Sequence, residues 1–160
     1  MKKNIYLILL ISVTLFSCKS KEKGFSVAKK SHEESLLQAD VIFIEAATEK
    51  NKGNKDKALA LYQKGLTLPG DKAPIHYELS KLYAEENDIE KANFHINEAL
   101  KIDATNNWYW KFYIKLGRSE NDFNKVEQGY LELIKLNPKD VDYLTELSDI
   151  YLAKPDYDKA

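Results

Sequence analysis

Histidines and paired carboxylates are the side chains of this sequence that could carry catalysis or hold a metal ion. The histidines stand outside any His-Glu-x-x-His or Cys-x-x-Cys pattern; they are His32, His76 and His95. Glu33-Glu34 and Glu85-Glu86 are sequence neighbours, so on a helix they point about 100° apart and cannot share a substrate as paired acids do. The sequence therefore predicts no catalytic residue, no metal site and no cofactor, and it gives His76 a structural role.

The single cysteine, Cys18, rules out an internal disulfide. A short basic start precedes it, followed by the apolar run 5–16 and the small residue Ser17. That run is too short to span a bilayer. Together these features predict that residues 1–17 form an export signal.

A cysteine directly after such a signal resembles the lipobox of bacterial lipoproteins. In that family the thiol receives a diacylglyceryl group before cleavage and the new amino terminus is usually acylated, so several chains hold the protein on the membrane. The resemblance implies lipidation at Cys18 and a place in the bacterial cell envelope. Lys19 is not the aspartate that retains some lipoproteins in the inner membrane, which favours the outer membrane. The alternative is an ordinary secretory leader, or one left uncut.

Residues 18–35 follow as a highly charged segment with little apolar periodicity. Such a composition predicts a flexible tether. The whole chain has a formal net charge of −1, which gives no electrostatic reason to expect nucleic acid as a partner.

Beyond the tether, similar residues recur every 34 positions. The columns are Ala58, Ala92, Val126 and Ala160; Gly53, Asn87, Asn121 and Pro155; Asn54, Asp88, Asp122 and Asp156; Leu66, Leu100 and Ile134; Leu68, Ile102 and Leu136. Between the columns, apolar residues fall at spacings of three and four, which predicts pairs of helices. Gly or Asn then ends one helix in a left-handed conformation, and the next Asn or Asp accepts the free N–H groups of the following helix.

These columns resemble the tetratricopeptide repeat family. The pattern of the family is met by Trp110, Leu79, Ala46, Ser80, Ser148, Tyr83 and Tyr151 in first helices, and by Ala58, Ala92, Ala160, Tyr62, Tyr130, Ala99 and Pro138 afterwards. The resemblance implies an all-α solenoid of helix–turn–helix units spanning 36–160. Three units are complete (39–72, 73–106 and 107–140) and one is partial (141–160).

Two details of the repeat carry expectations of their own. Ile114 stands in the column of small residues that lets paired helices approach, so we expect wider packing there. The chain also stops as its last second helix begins, whereas repeat arrays usually end in a polar cap. We therefore expect an N-terminal piece of a longer protein.

By family resemblance, the first helices line a concave groove. Its predicted lining combines aromatic and cationic side chains: Phe43, Tyr77, Lys81, Trp108, Lys111, Lys115 and Arg118. Aromatic anchors beside positive charge suit a protein or peptide segment that carries acidic groups. The alternative is that these side chains simply pack over neighbouring helices. Phe43 and Ala47 stand where the carboxylate-clamp members of the family carry Lys and Asn, so that subset is excluded.

The sequence thus predicts a lipid-anchored, non-enzymatic scaffold for protein binding. Two other functions stay open. The repeats could be the sensing arm of a longer signalling protein, or the chain could be a nutrient-binding lipoprotein of a sugar importer, although the uninterrupted spacing leaves no room for the long loops of that class.

Overall fold

The computed structural model describes the backbone of residues 18–153, and the side chains of Lys29 and of residues 31–153. The predicted leader 1–17, the side chain of the predicted lipidation site Cys18, and residues 154–160 with Pro155 lie outside what is described. The described part contains seven helices and no strand. They are α1 (Cys18–Asn51), α2 (Lys55–Leu66), α3 (Ala73–Glu85), α4 (Ile89–Ile102), α5 (Asn107–Glu120), α6 (Phe123–Leu136) and α7 (Val141–Ala153).

The helices form consecutive hairpins, α1/α2, α3/α4 and α5/α6, and α7 packs against α6. The main contacts join helices that are adjacent in sequence, as expected of a solenoid. Ala58, Ala92 and Val126 lie in equivalent positions of the three second helices and are all buried. The predicted all-α architecture with three complete units is therefore confirmed.

The turn inside each hairpin is built in the same way three times. Gly53, Asn87 and Asn121 take left-handed φ angles of 84°, 63° and 55°. The residue that follows each of them donates its backbone N–H to a carbonyl five residues back, at Glu49, Tyr83 and Gly117. This is the Schellman arrangement that satisfies the last carbonyls of a helix, and a left-handed residue is what it requires.

Capping of the second helices agrees with the prediction at two turns and differs at one. The Asp88 carboxylate accepts the backbone N–H of Lys91, and the Asp122 carboxylate accepts that of Lys125. Asn54 makes no such bond; its Nδ2 donates instead to the Glu49 carboxylate at 2.8 Å. Glu49 is buried and needs a donor, so the amide turns towards it.

The first helix is longer than the repeat requires. It begins at Cys18 and includes residues 18–35, where the sequence predicts a flexible tether. Lys, Glu and Ala favour helix, and the repeat at the other end of the segment supplies a formed helix to extend. The side chains of residues 31–34 are exposed, so this part of α1 projects from the packed repeats.

A small residue lies between the two helices of the second and third hairpins, on the first helix in one and on the second helix in the other. In the second hairpin, Ser80 is fully buried and its hydroxyl donates to the Ala92 carbonyl at 2.6 Å. In the third, Ile114 replaces the small residue, and Gly129 of α6 faces it. A Cβ on Gly129 would lie 2.3 Å from Ile114 Cγ1. Gly129 thus leaves the space that the side chain of Ile114 occupies.

At the C-terminal side, α7 packs through Leu147, which is buried, while Val141, Leu144 and Leu152 are exposed. Within residues 18–153, no helix combines the length and apolar character needed to cross a membrane.

Candidate functional site

The predicted groove is the face of α1, α3, α5 and α7 that carries Phe43, Tyr77, Trp108 and the cations named with them. At its centre, between α3 and α5, lies a cavity of about 520 Å³. Tyr77 and Lys81 line one wall, and Phe112 and Lys115 line the other. Tyr77 is half-buried, with its ring 5.8 Å from Phe112 in an edge-on arrangement and 5.0 Å from Tyr109. Burial raises the pKa of the Tyr77 hydroxyl.

A second cavity of about 400 Å³ lies between α5, α6 and α7. The predicted residues Lys111, Lys115 and Arg118 line it, so the structure brings these three cations together. Lys111 Nζ lies 5.2 Å from the ring centroid of Trp108 and 5.6 Å from that of Tyr143. These distances permit cation–π attraction, which orients the ammonium group over the groove surface.

Phe43 does not join the other predicted residues. It is half-buried against the Tyr62 ring at 5.7 Å, and it lines a smaller cavity of about 170 Å³ between α1, the 66–73 turn and α3. Phe43 thus packs over its own hairpin, as the alternative reading of the groove anticipates. Trp108 is the opposite case, because 66% of its surface is exposed at the start of α5.

Ion pairs engage part of the positive charge on this face. The Glu78 carboxylate pairs with Lys50 and, at 2.6 Å, with Lys81. Arg118 pairs with Glu146 at 2.6 Å and donates to the Tyr130 hydroxyl at 2.8 Å. The hydrogen bond from Arg118 lowers the pKa of Glu146 and, reciprocally, raises that of Arg118. In the described residues, Lys111 and Lys115 have no carboxylate within ion-pair distance.

His76 and His95 form a contact that the sequence does not predict. Their Nδ1 atoms are 2.9 Å apart, and the Tyr83 ring stacks on His95 with an interplanar angle of 3°. Burial lowers the pKa of both imidazoles, to about 4 for His95. Nowhere between residues 18 and 153 do three or more His, Cys, Asp or Glu side chains gather as metal ligands would. The pair acts as part of the packing between α3 and α4.

Four residues of the groove were missed from the sequence. They are Glu78, Phe112, Tyr143 and Glu146. Glu78, Phe112 and Glu146 belong to one column of the repeat, in which an aromatic stands between two acids. This change from acid to aromatic and back is visible in the sequence. Whether each residue forms an ion pair or lines a cavity depends on the side chains of the neighbouring helix, which the sequence does not show.

Comparison with known proteins supports the repeat assignment. Residues 73–106, which contain α3 and α4, match a family model described as tetratricopeptide repeat. No curated protein sequence matches the chain.

Solved structures with the same fold include three domains of low sequence identity. The first TPR of Spaghetti (RPAP3), bound to the HSP90 peptide SRMEEVD, is 16% identical with a TM-score of 0.62, covering 73% of this chain and 93% of that one. The second TPR domain of human RPAP3, in complex with the HSP70 peptide SGPTIEEVD, is 19% identical with a TM-score of 0.61, covering 73% and 98%. The Arabidopsis OM64 TPR domain is 13% identical with a TM-score of 0.61, covering 72% and 96%. At such identities the similarity shows the fold alone.

Proposed function

We propose that this protein is a non-catalytic scaffold that binds a segment of a partner protein in its groove. The observation that carries the proposal is the surface of α5. Trp108 is exposed and Lys111 lies beside it, while Lys115 follows one turn after Lys111 on the same helix; neither lysine has a carboxylate partner among the described residues. A large exposed aromatic next to unpaired cations is typical of a surface that binds protein.

The solved neighbours support the same kind of partner. Two of them hold peptides that end in Glu-Glu-Val-Asp. This chain has Phe43 and Ala47 where a clamp of Lys and Asn would be needed, so we do not carry those ligands over. What we carry over is the class of partner, a peptide segment laid along the first helices.

Affinity capture from detergent-solubilised bacterial envelopes tests the groove. The full chain is used as bait, unmodified, as Trp108→Ala, and as Phe94→Ala. Phe94 is also exposed, at 57%, but lies on the second helix α4, so it is the matched control. Tyr77 is left intact because it packs against Tyr109 and Phe112. We expect Trp108→Ala to lose a partner that Phe94→Ala retains; equal recovery by all three baits would refute the groove.

We further propose that lipid on Cys18 anchors the scaffold to the cell envelope, with the outer membrane favoured. The support is the predicted leader and the cysteine that follows it. In addition, the exposed residues 31–34 of α1 lie between Cys18 and the packed repeats. Growth with an alkyne-labelled fatty acid is expected to label the full chain but not the Cys18→Ser variant. The variant is also expected to appear in the soluble fraction after cell fractionation. An unlabelled wild-type protein would contradict the anchor and leave the groove proposal standing.

A further inference from the structure

The same ion pair spans two of the three junctions between consecutive units. Lys50 of α1 pairs with Glu78 of α3, and Arg118 of α5 pairs with Glu146 of α7. In both cases the partners are 28 residues apart, which relates equivalent positions of neighbouring units. At each of these two junctions, a cation and a carboxylate on the groove face neutralise each other.

The middle junction breaks this pattern. The two positions with the same 28-residue spacing are Ala84 of α3 and Phe112 of α5. A methyl group and a ring thus replace the cation and the acid. The cavity of about 520 Å³ opens at this place, with Leu116 and Ile89 completing its apolar lining. Apolar surface that a partner buries in this cavity favours binding because it is removed from water.

Charge around the middle cavity is also uneven. On the α3 side, Lys81 is held by Glu78, and Glu85 is paired with Lys55 at 2.7 Å. On the α5 side, Lys115 lines both this cavity and the neighbouring one of about 400 Å³. Its Nζ lies 5.7 Å from the Phe112 ring centroid. Lys115 is therefore placed to attract a carboxylate beside the apolar cavity.

At the third junction, an acidic side chain of a partner would meet carboxylates of this chain. Asp142 and Glu146 of α7 line the cavity there together with the cations. Their negative charge opposes an incoming carboxylate and offsets part of the attraction from Arg118. Lys115 lines both of these groove cavities; the middle one differs in that its acid, Glu85, is paired with Lys55, whereas Asp142 at the third junction has no cation partner in the described residues.

We propose that the middle cavity is the specificity pocket of the groove. It takes a large apolar side chain of the partner segment, and Lys115, assisted by Lys111, binds an acidic residue next to that side chain. This inference rests on the proposed groove function and adds the partner's chemistry: an apolar anchor flanked by a carboxylate.

Phage-displayed random dodecapeptides, selected on the immobilised full chain, provide the probe. Selected peptides are then measured against four variants. Ala84→Phe fills the cavity, and Ala84→Ser is its control of similar size. Lys115→Gln removes the charge, and Lys101→Gln, on α4 and paired with Glu98, is the control for losing a lysine. Circular dichroism melting confirms that each variant is folded.

We expect peptides enriched in a leucine or aromatic residue adjacent to Asp or Glu. Ala84→Phe should weaken their binding by at least about tenfold, a change of 1.4 kcal/mol. Lys115→Gln should remove the preference for Glu over Gln in the peptide, and both controls should bind as the unmodified chain does.

Two results would overturn the pocket. If selected peptides tolerate Ala84→Phe and Lys115→Gln but lose binding with Trp108→Ala, the groove binds segments elsewhere and only this inference fails. If no peptide is enriched, no linear segment is recognised, which ends this inference; envelope capture with Trp108→Ala then decides separately whether the groove binds a folded partner.

Discussion

The hydroxyl of Tyr62 is a buried polar group left without a hydrogen bond. Tyr62 is fully buried in α2, and its hydroxyl finds no partner in the part of the chain that is described. Burial raises the pKa of this hydroxyl, so it stays neutral. An unpaired buried hydroxyl costs about 1–3 kcal/mol of stability.

Tyr62→Phe is therefore expected to raise the free energy of unfolding by about 1 kcal/mol, measured by urea denaturation. Tyr83→Phe is the matched control, because the Tyr83 hydroxyl accepts a hydrogen bond from Gln63 Nε2 at 3.0 Å. The control should lose about 1 kcal/mol. Destabilisation of the Tyr62 variant by as much as the control would show that its hydroxyl has a partner in solution.

The pairing of His76 with His95 makes stability depend on pH. In the unfolded chain a histidine titrates near pH 6.5. In the fold, burial lowers the pKa of His95 to about 4. From pH 6.5 downwards the unfolded state therefore binds more protons, and stability falls as the pH falls. Glu98 raises the pKa of both histidines, whereas Lys72 lowers that of His76. The aromatic rings of Tyr83 and Phe94 also pack against His95.

We expect unfolding free energy to decrease by on the order of 1–2 kcal/mol between pH 6.5 and pH 5, above the range where carboxylates protonate. His95→Phe keeps a ring against Tyr83 and should flatten this slope. His32→Gln removes an exposed histidine and should leave the slope as it is. An unchanged slope in His95→Phe would mean that the pair does not control the pH dependence.

At the scale of elements, the third hairpin shows how a conflict within one column is resolved. Ile114 is larger than the Ser80 of the second hairpin, and Gly129 on the facing helix makes room for it. A glycine inside a helix costs about 1 kcal/mol relative to alanine. Burial of the Ile114 side chain against Gly129 offsets that cost.

Gly129→Ala should therefore destabilise the protein by about 1–3 kcal/mol, although alanine is the better helix former. In the double variant Ile114→Ala/Gly129→Ala, the smaller side chain at position 114 makes room for the added methyl group at position 129. Its loss should be smaller than the sum of the two single losses, measured by urea denaturation as a double-mutant cycle. Strict additivity would show that the two residues do not share the space between the helices.

At the scale of the molecule, the part from residue 18 to 153 is a row of hairpins whose main contacts are local, so stability is expected to vary along it. Helices α3, α4 and α5 have packed neighbours on both sides. In contrast, α7 has its main contacts with α6, and Leu144 is 49% exposed.

Hydrogen exchange of the 160-residue chain should therefore be slowest in α3 to α5 and faster in α7. Mass spectrometry of peptides from these helices measures the difference. Equal protection of α7 and α4 would show that the array unfolds as one cooperative unit, or that α7 has a cover outside the described residues.

Much of this fold follows from local sequence because a solenoid repeats local interactions. The left-handed turn at Asn87 and the cap at Asp88 depend only on residues within a few positions, so the 34-residue columns were sufficient to place them. The contact of Ile114 with Gly129 could not be read from the small-residue column because Gly129 lies on another helix.

The groove needed tertiary structure for the same reason. The sequence predicted Tyr77, Trp108 and Lys115 as groove residues, and the repeat register decided which helix carries each. It could not show that Glu78 pairs with Lys81 or that Arg118 is held by Glu146, since charges interact over distance in space rather than along the chain. Only the packing of α3 against α5 placed Ala84 opposite Phe112 and so left an open apolar cavity where the other two junctions carry an ion pair.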